Sequence, residues 1–75
     1  MKSKLIFDYT LLKARIKEVY GGQESFAQAL GCTLQTINNK LNNRTCFTQD
    51  EIITWAEMLD LRPYQIGEYF LSRKV

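Results

Sequence analysis

The 75-residue chain contains no histidine, two cysteines and a single proline. Without an imidazole, every histidine-dependent catalytic arrangement is excluded, and Cys32 and Cys46 alone do not make a familiar zinc pattern. There is no glycine-rich phosphate cradle and no acid or base set in a recognisable motif. The chain is also too short for a deep pocket. It therefore reads as a non-enzyme, with no metal, cofactor or small-molecule substrate expected. No apolar run approaches the ~18 residues of a membrane span, and the first eight residues lack the long apolar region of a signal peptide. A cytoplasmic location follows, with no membrane partner. In that compartment Cys32 is most simply a small core residue, and a Cys32 to Cys46 disulfide is disfavoured.

A hydrophobic fraction of 45% and a charged fraction of 24% are those of an ordinary globular protein. There is no repeat, linker or low-complexity segment, so residues 1–75 are expected to form one domain. A domain this small buries only about 60% of its unfolded surface, so every amphipathic helix must share one core. The net charge is only +2, but it is unevenly spread. Residues 1–45 hold Lys2, Lys4, Lys13, Arg15, Lys17, Lys40 and Arg44 against Asp8, Glu18 and Glu24, a net +4. Residues 46–75 carry a net −2. Such polarity can orient a domain on a polyanion, although ordinary scatter of surface charge gives the same imbalance.

The most informative stretch is residues 23–41, two short helical patterns hinged at Gly31. Counting from Gln23, a small residue stands fifth (Ala27), a glycine ninth (Gly31) and a branched apolar residue fifteenth (Ile37). Two helices crossing at about 90 to 120° over a short turn need a small side chain where their backbones approach. Gly31 supplies the left-handed conformation that ends the first of them. Thr33 is placed to cap the second, and Ile37 to lock it from beneath. The outward residues Leu34, Gln35, Thr36, Asn38, Asn39 and Lys40 include no carboxylate. An ordinary solvated face usually mixes both signs. This is the pattern of a helix-turn-helix, and it points to DNA. The same apolar spacing also arises wherever two amphipathic helices meet at a glycine.

Around it, Leu5, Ile6 and Phe7 form an extended apolar segment, packed on the core or paired as a small strand. Asp8 caps a first helix that carries Leu11, Leu12, Ile16 and Val19 and ends at Gly21-Gly22, with Lys13, Arg15, Lys17 and Glu18 on its wet face. Residues 42–47 read as a loop. Thr48 and Glu51 form a capping box that opens a fourth helix. Pro63 suits the first turn of a fifth, running to Phe70, in which Gly67 is a weak point or a site of close backbone approach. The expected fold class is all-α, a compact bundle of about five short helices.

With these elements in place, the chain resembles the lambda-repressor-like DNA-binding domains, the repressor and Cro proteins of temperate phages. The resemblance rests on Gln23-Glu24-Ser25-Phe26-Ala27, on Gly31, and on the Asn-rich exit Leu41-Asn42-Asn43. Two positions depart from that pattern. Asn43 stands where glycine is common, and Lys40 where an apolar residue is common. The resemblance implies that Leu34, Gln35, Asn38 and Asn39 face base edges in the major groove of an operator. Amide side chains there would read adenine and Leu34 a thymine methyl. On helical spacing, the alternative for Leu34 is that it packs into the core. Gln23, Thr36, Lys40, Asn42, Asn43 and Arg44 would hold phosphates.

One module of this size buries roughly 600 to 1,000 Å² on DNA, seldom enough for tight specific binding. A homodimer on a palindromic double-stranded site is therefore expected. Residues 62–71 are the candidate dimerisation helix, through Tyr64, Ile66, Tyr69 and Phe70. The alternative is that these side chains close the core with Leu5, Ile6 and Phe7. The expected function is a sequence-specific transcriptional regulator of Cro type, since the chain ends before a second repressor domain could begin. Two alternatives stand beside it: the DNA-binding domain of a longer phage repressor, and an adaptor or antirepressor that keeps the fold without binding DNA.

Overall fold

The computed structural model describes residues 6–73. Among them are five α-helices: α1 (Thr10–Tyr20), α2 (Gln23–Leu30), α3 (Leu34–Leu41), α4 (Gln49–Met58) and α5 (Ile66–Phe70), the last preceded by a 3₁₀ turn, Pro63–Gln65. No described helix is long and apolar enough to cross a membrane. Helix α1 starts where the Asp8 carboxylate accepts from the Thr10 amide at 3.0 Å and from its hydroxyl at 2.6 Å. It stops at Gly21, whose φ of +85° only glycine adopts at little cost.

Leu12 and Ile16 from α1, Phe26 and Ala27 from α2, Ile37 and Leu41 from α3, and Trp55, Ala56 and Leu59 in and after α4 meet in one core. The α3–α4 loop contributes the plug. Phe47 sits edge-on to Trp55 at 4.8 Å and to Phe70 at 5.2 Å, while Phe26 meets Trp55 at 4.8 Å. Edge-to-face geometry of this kind adds about 0.5 to 1.5 kcal/mol per pair beyond area burial. Leu11 and Val19 stay outside this core despite their helical spacing.

Helix α4 opens on the expected capping box. Thr48 Oγ1 accepts from the Glu51 amide at 3.1 Å, and Glu51 Oε1 accepts from the Thr48 amide at 2.8 Å. Its far end is closed by α1, because the last carbonyls of a helix lack intrahelical donors. Arg15 Nε donates to the Leu59 carbonyl at 2.9 Å, and the Tyr20 hydroxyl to that of Met58 at 3.2 Å.

The fifth helical segment differs from expectation in three respects. Its first turn is 3₁₀, held by the Arg62 amide donating to Gln65 Oε1 at 2.9 Å. Among the described residues no other backbone approaches Gly67 on its Cβ side, since a Cβ built there meets nothing within 4 Å. Phe70, expected on the dimer surface, is 1% exposed and belongs to the core. The ring can reach Phe47 and Trp55 because the segment turns its inner face onto α4 and the loop. Ile66 and Tyr69 are partly buried against the same core, which favours closure at home for them. Tyr64, at 83% exposure, remains outside.

The N-terminal segment is extended as expected. Phe7 forms an isolated antiparallel bridge with Arg73, and the Asp8 amide donates to the Ser72 carbonyl at 2.7 Å. Leu5, expected in this segment, lies outside the described residues, as do Lys2 and Lys4.

Candidate functional site

The turn between α2 and α3 follows the steric reading of its sequence. Gly31 has a φ of +79°, and its amide together with that of Cys32 returns to carbonyls of the last turn of α2, Cys32 N reaching Ala27 O at 3.0 Å. Thr33 then takes an extended conformation and its hydroxyl accepts from the Thr36 amide at 3.3 Å, capping α3. With Ile37 and Leu41 turned inward, the opposite side of α3 faces out.

Leu34, Gln35, Asn38 and Asn39 share one concavity of about 490 Å³ with Asn42 and Arg44. Leu34 is 40% exposed, so it lines the surface and is not a core residue. The loop after α3 is curled against this concavity: the Arg44 and Thr45 amides both donate to the Asn39 carbonyl, at 2.8 and 3.3 Å. Four of the expected base-facing residues and two of the expected phosphate-facing ones are thus brought together.

The other four residues expected at phosphates lie elsewhere. Gln23 lines a neighbouring cleft together with Leu34 and Asn38. Thr36 is exposed beside the α2–α3 turn, its hydroxyl 3.1 Å from that of Thr33. Lys40 and Asn43 are corrections. Lys40 is 8% exposed, and its amine does not reach outward. It donates to Glu51 Oε1 at 2.8 Å and to the Cys46 carbonyl at 3.1 Å, with the Phe47 ring centroid 5.5 Å away. The aliphatic stem packs as the usual apolar residue would, and the charge is satisfied by the α4 capping box. Asn43 engages both ends of its side-chain amide with the Phe7 backbone, so its role in the fold is to hold the N-terminal segment.

The charges around the site are consequently few. Burial would push the Glu51 carboxyl up, but hydrogen bonds from Lys40 and Thr48 and the Lys40 charge outweigh it and hold the group below the usual carboxylate range. Burial also raises the Cys32 thiol, which is half-buried, and both cysteines are free. Arg15 is spent on Leu59 and on Glu18 at 3.2 Å. Among the described residues this leaves, near the outer face of α3, Arg44 together with Lys13 and Lys17 of α1, which border the Leu34 and Asn38 side. Sequence reasoning left those two lysines on a wet helix face. Their i, i+4 spacing was the available signal, but only the fold brings residues of α1 and α3 to one cleft. Among the described residues no cluster of three Cys, Asp or Glu could hold a metal ion.

Residues 5–73 match a family model described as "Protein of unknown function (DUF739)". The chain belongs to that family. Its fold is also similar to the solution structure of the modulator of repression of the temperate bacteriophage TP901-1 from Lactococcus lactis, with a TM-score of 0.77 and 38% sequence identity over 85% of this chain and 86% of that one. No curated protein matches the sequence. The likeness is to a small helical regulatory protein of a phage.

Proposed function

We propose that this protein relieves repression in the genetic switch of a temperate phage by contacting the repressor, using a helix-turn-helix scaffold as a protein-binding surface. The observation that carries the reading is the withdrawal of Lys40. The one cation of α3 is committed to Glu51, so the outward side of that helix offers amides, a hydroxyl and Leu34 but no charge. Phosphate neutralisation supplies most of the non-specific affinity for DNA, and α3 itself supplies none of it, leaving Arg44, Lys13 and Lys17 beside the helix as the cations near that face. The family resemblance to phage repressors and the similarity to a modulator of repression support a role in such a switch.

A promoter reporter silenced by the repressor of the same switch tests this. Co-expression of the protein is expected to restore reporter activity, and the protein without the repressor to leave it unchanged. A second reading, a Cro-type dimer on a palindromic double-stranded operator, is favoured by one arrangement: Gln35, Asn38 and Asn39 share a concavity with Arg44. Silencing of the promoter by the protein alone would put that reading in place of the first.

A further inference from the structure

Lys13 and Lys17 stand one turn apart on α1, and Leu34 and Asn38 one turn apart on α3. All four line a single cleft of about 550 Å³, which Ala14 and Glu24 also border. Neither ammonium has a hydrogen bond or ion pair among the described residues, unlike Arg15 and Lys40, whose charges are used inside the fold. The cleft thus combines two unspent cations with apolar surface from Leu34 and Ala14.

We propose that this cleft docks an acidic segment of the repressor, with two carboxylates on Lys13 and Lys17 and an aliphatic side chain against Leu34. The inference rests on the function proposed above and assigns that function a surface and a partner chemistry. Charge selects an anionic occupant, and one further feature favours protein over DNA. Glu24 borders the same cleft, so a run of phosphates laid along the lysines would pass a carboxylate. A peptide can place a polar or basic residue there. Leu34, at 40% exposure, gains from an apolar side chain of such a peptide. Fully formed carboxylate contacts at the edge of such a groove set association rate and salt dependence as well as affinity.

The test uses the full-length protein and the full-length repressor of the same switch, titrated against each other at two salt concentrations. Lys13→Glu/Lys17→Glu is compared with Arg62→Glu/Arg73→Glu, which makes the same charge change away from the cleft. The expected result is at least a tenfold loss of affinity and a flatter salt dependence for the first pair, and less than a twofold loss for the second. Lys13→Gln/Lys17→Gln should fall between, with unchanged circular dichroism and Trp55 emission.

Equal loss in both charge-reversed pairs, or full affinity in the lysine variants, overturns the docking site and leaves the repressor contact standing. Retained repressor affinity with lost affinity for a random-sequence duplex overturns it in favour of a phosphate site. Absence of any wild-type binding to the repressor removes the proposed function, and the docking site with it.

Discussion

Asn43 and Phe7 exchange two hydrogen bonds, the Phe7 amide donating to Asn43 Oδ1 at 2.9 Å and Asn43 Nδ2 donating to the Phe7 carbonyl at 3.0 Å. A side-chain amide thereby takes the place of a neighbouring β-strand. The bridge to Arg73 occupies Phe7's other side, so the exit of α3 is tied through one residue to the C-terminal segment. Asn43 can do this because its φ of +64° turns the loop sharply after Asn42. Asparagine tolerates that conformation far better than most residues.

Substitution at Asn43 separates the two contributions. Asn43→Gly keeps the left-handed backbone and loses both hydrogen bonds, which should cost about 1 to 2 kcal/mol. Asn43→Ala adds the left-handed penalty and should cost about 2 to 3 kcal/mol. Urea denaturation followed by Trp55 fluorescence measures both. Equal stability of the two variants would mean that the backbone conformation contributes nothing.

Lys40→Met tests the inward placement of that side chain. Methionine fills the stem's space, and Glu51 keeps its hydrogen bond from the Thr48 amide, so the expected loss of stability is only about 1 to 2 kcal/mol. Whatever affinity the protein has for random duplex DNA should be unchanged in size and in salt slope. A slope reduced by about one would show that the ammonium reaches phosphate after all.

The same pair makes a pH prediction. The Glu51 carboxyl titrates below its ordinary value in the folded chain, so its contribution to stability is complete above the unfolded value of about 4.3. It is lost as the pH falls through the folded value. Glu51→Gln removes this dependence. The variant is expected to be less stable than the parent at pH 7 and to lose less on going to pH 3. Urea midpoints at the two pH values measure the difference, and parallel losses would exclude Glu51 as a source of acid sensitivity.

The fifth segment is best examined by contrast. Phe70→Ala empties a core position in contact with Phe47 and Trp55 and should cost about 3 to 5 kcal/mol, enough to unfold much of so small a chain. Tyr64→Ala removes an exposed ring and should change stability by less than about 0.5 kcal/mol. Sedimentation of Tyr64→Ala shows whether that ring supports a dimer. A shift to a lighter species would keep the expected dimer surface, reduced to its exposed residues.

The helices were legible wherever a local rule set a boundary. Gly31 and Thr33 frame the α2–α3 turn, and Thr48 with Glu51 opens α4, because caps act within a few residues. The Leu34, Gln35, Asn38 and Asn39 cluster was legible for the same reason, since one helical period places these residues together. Lys40 and Asn43 were misread, and Phe70 was left open between dimer surface and core, because their partners are distant in sequence or lie on another element: Glu51, Phe7 and Phe47. No pattern within one helix announces that a lysine will find a carboxylate in a neighbouring cap. Lys13 and Lys17 were passed over for the converse reason, because only the fold brings them to the same cleft as Leu34 and Asn38.

Gly67 offers a stabilising change. Its position in α5 is helical, its backbone is not left-handed, and an added methyl would meet open space. Glycine loses more backbone freedom on folding than alanine, so Gly67→Ala should stabilise the protein by about 0.5 to 1 kcal/mol. For a chain of this size that corresponds to a rise in Tm of several degrees. Thermal denaturation followed at Trp55 provides the measurement. Because no atom of the described residues is displaced, a fall in Tm would not come from crowding against them. It would mean that residue 67 leaves the helical conformation in solution and uses the backbone freedom of glycine.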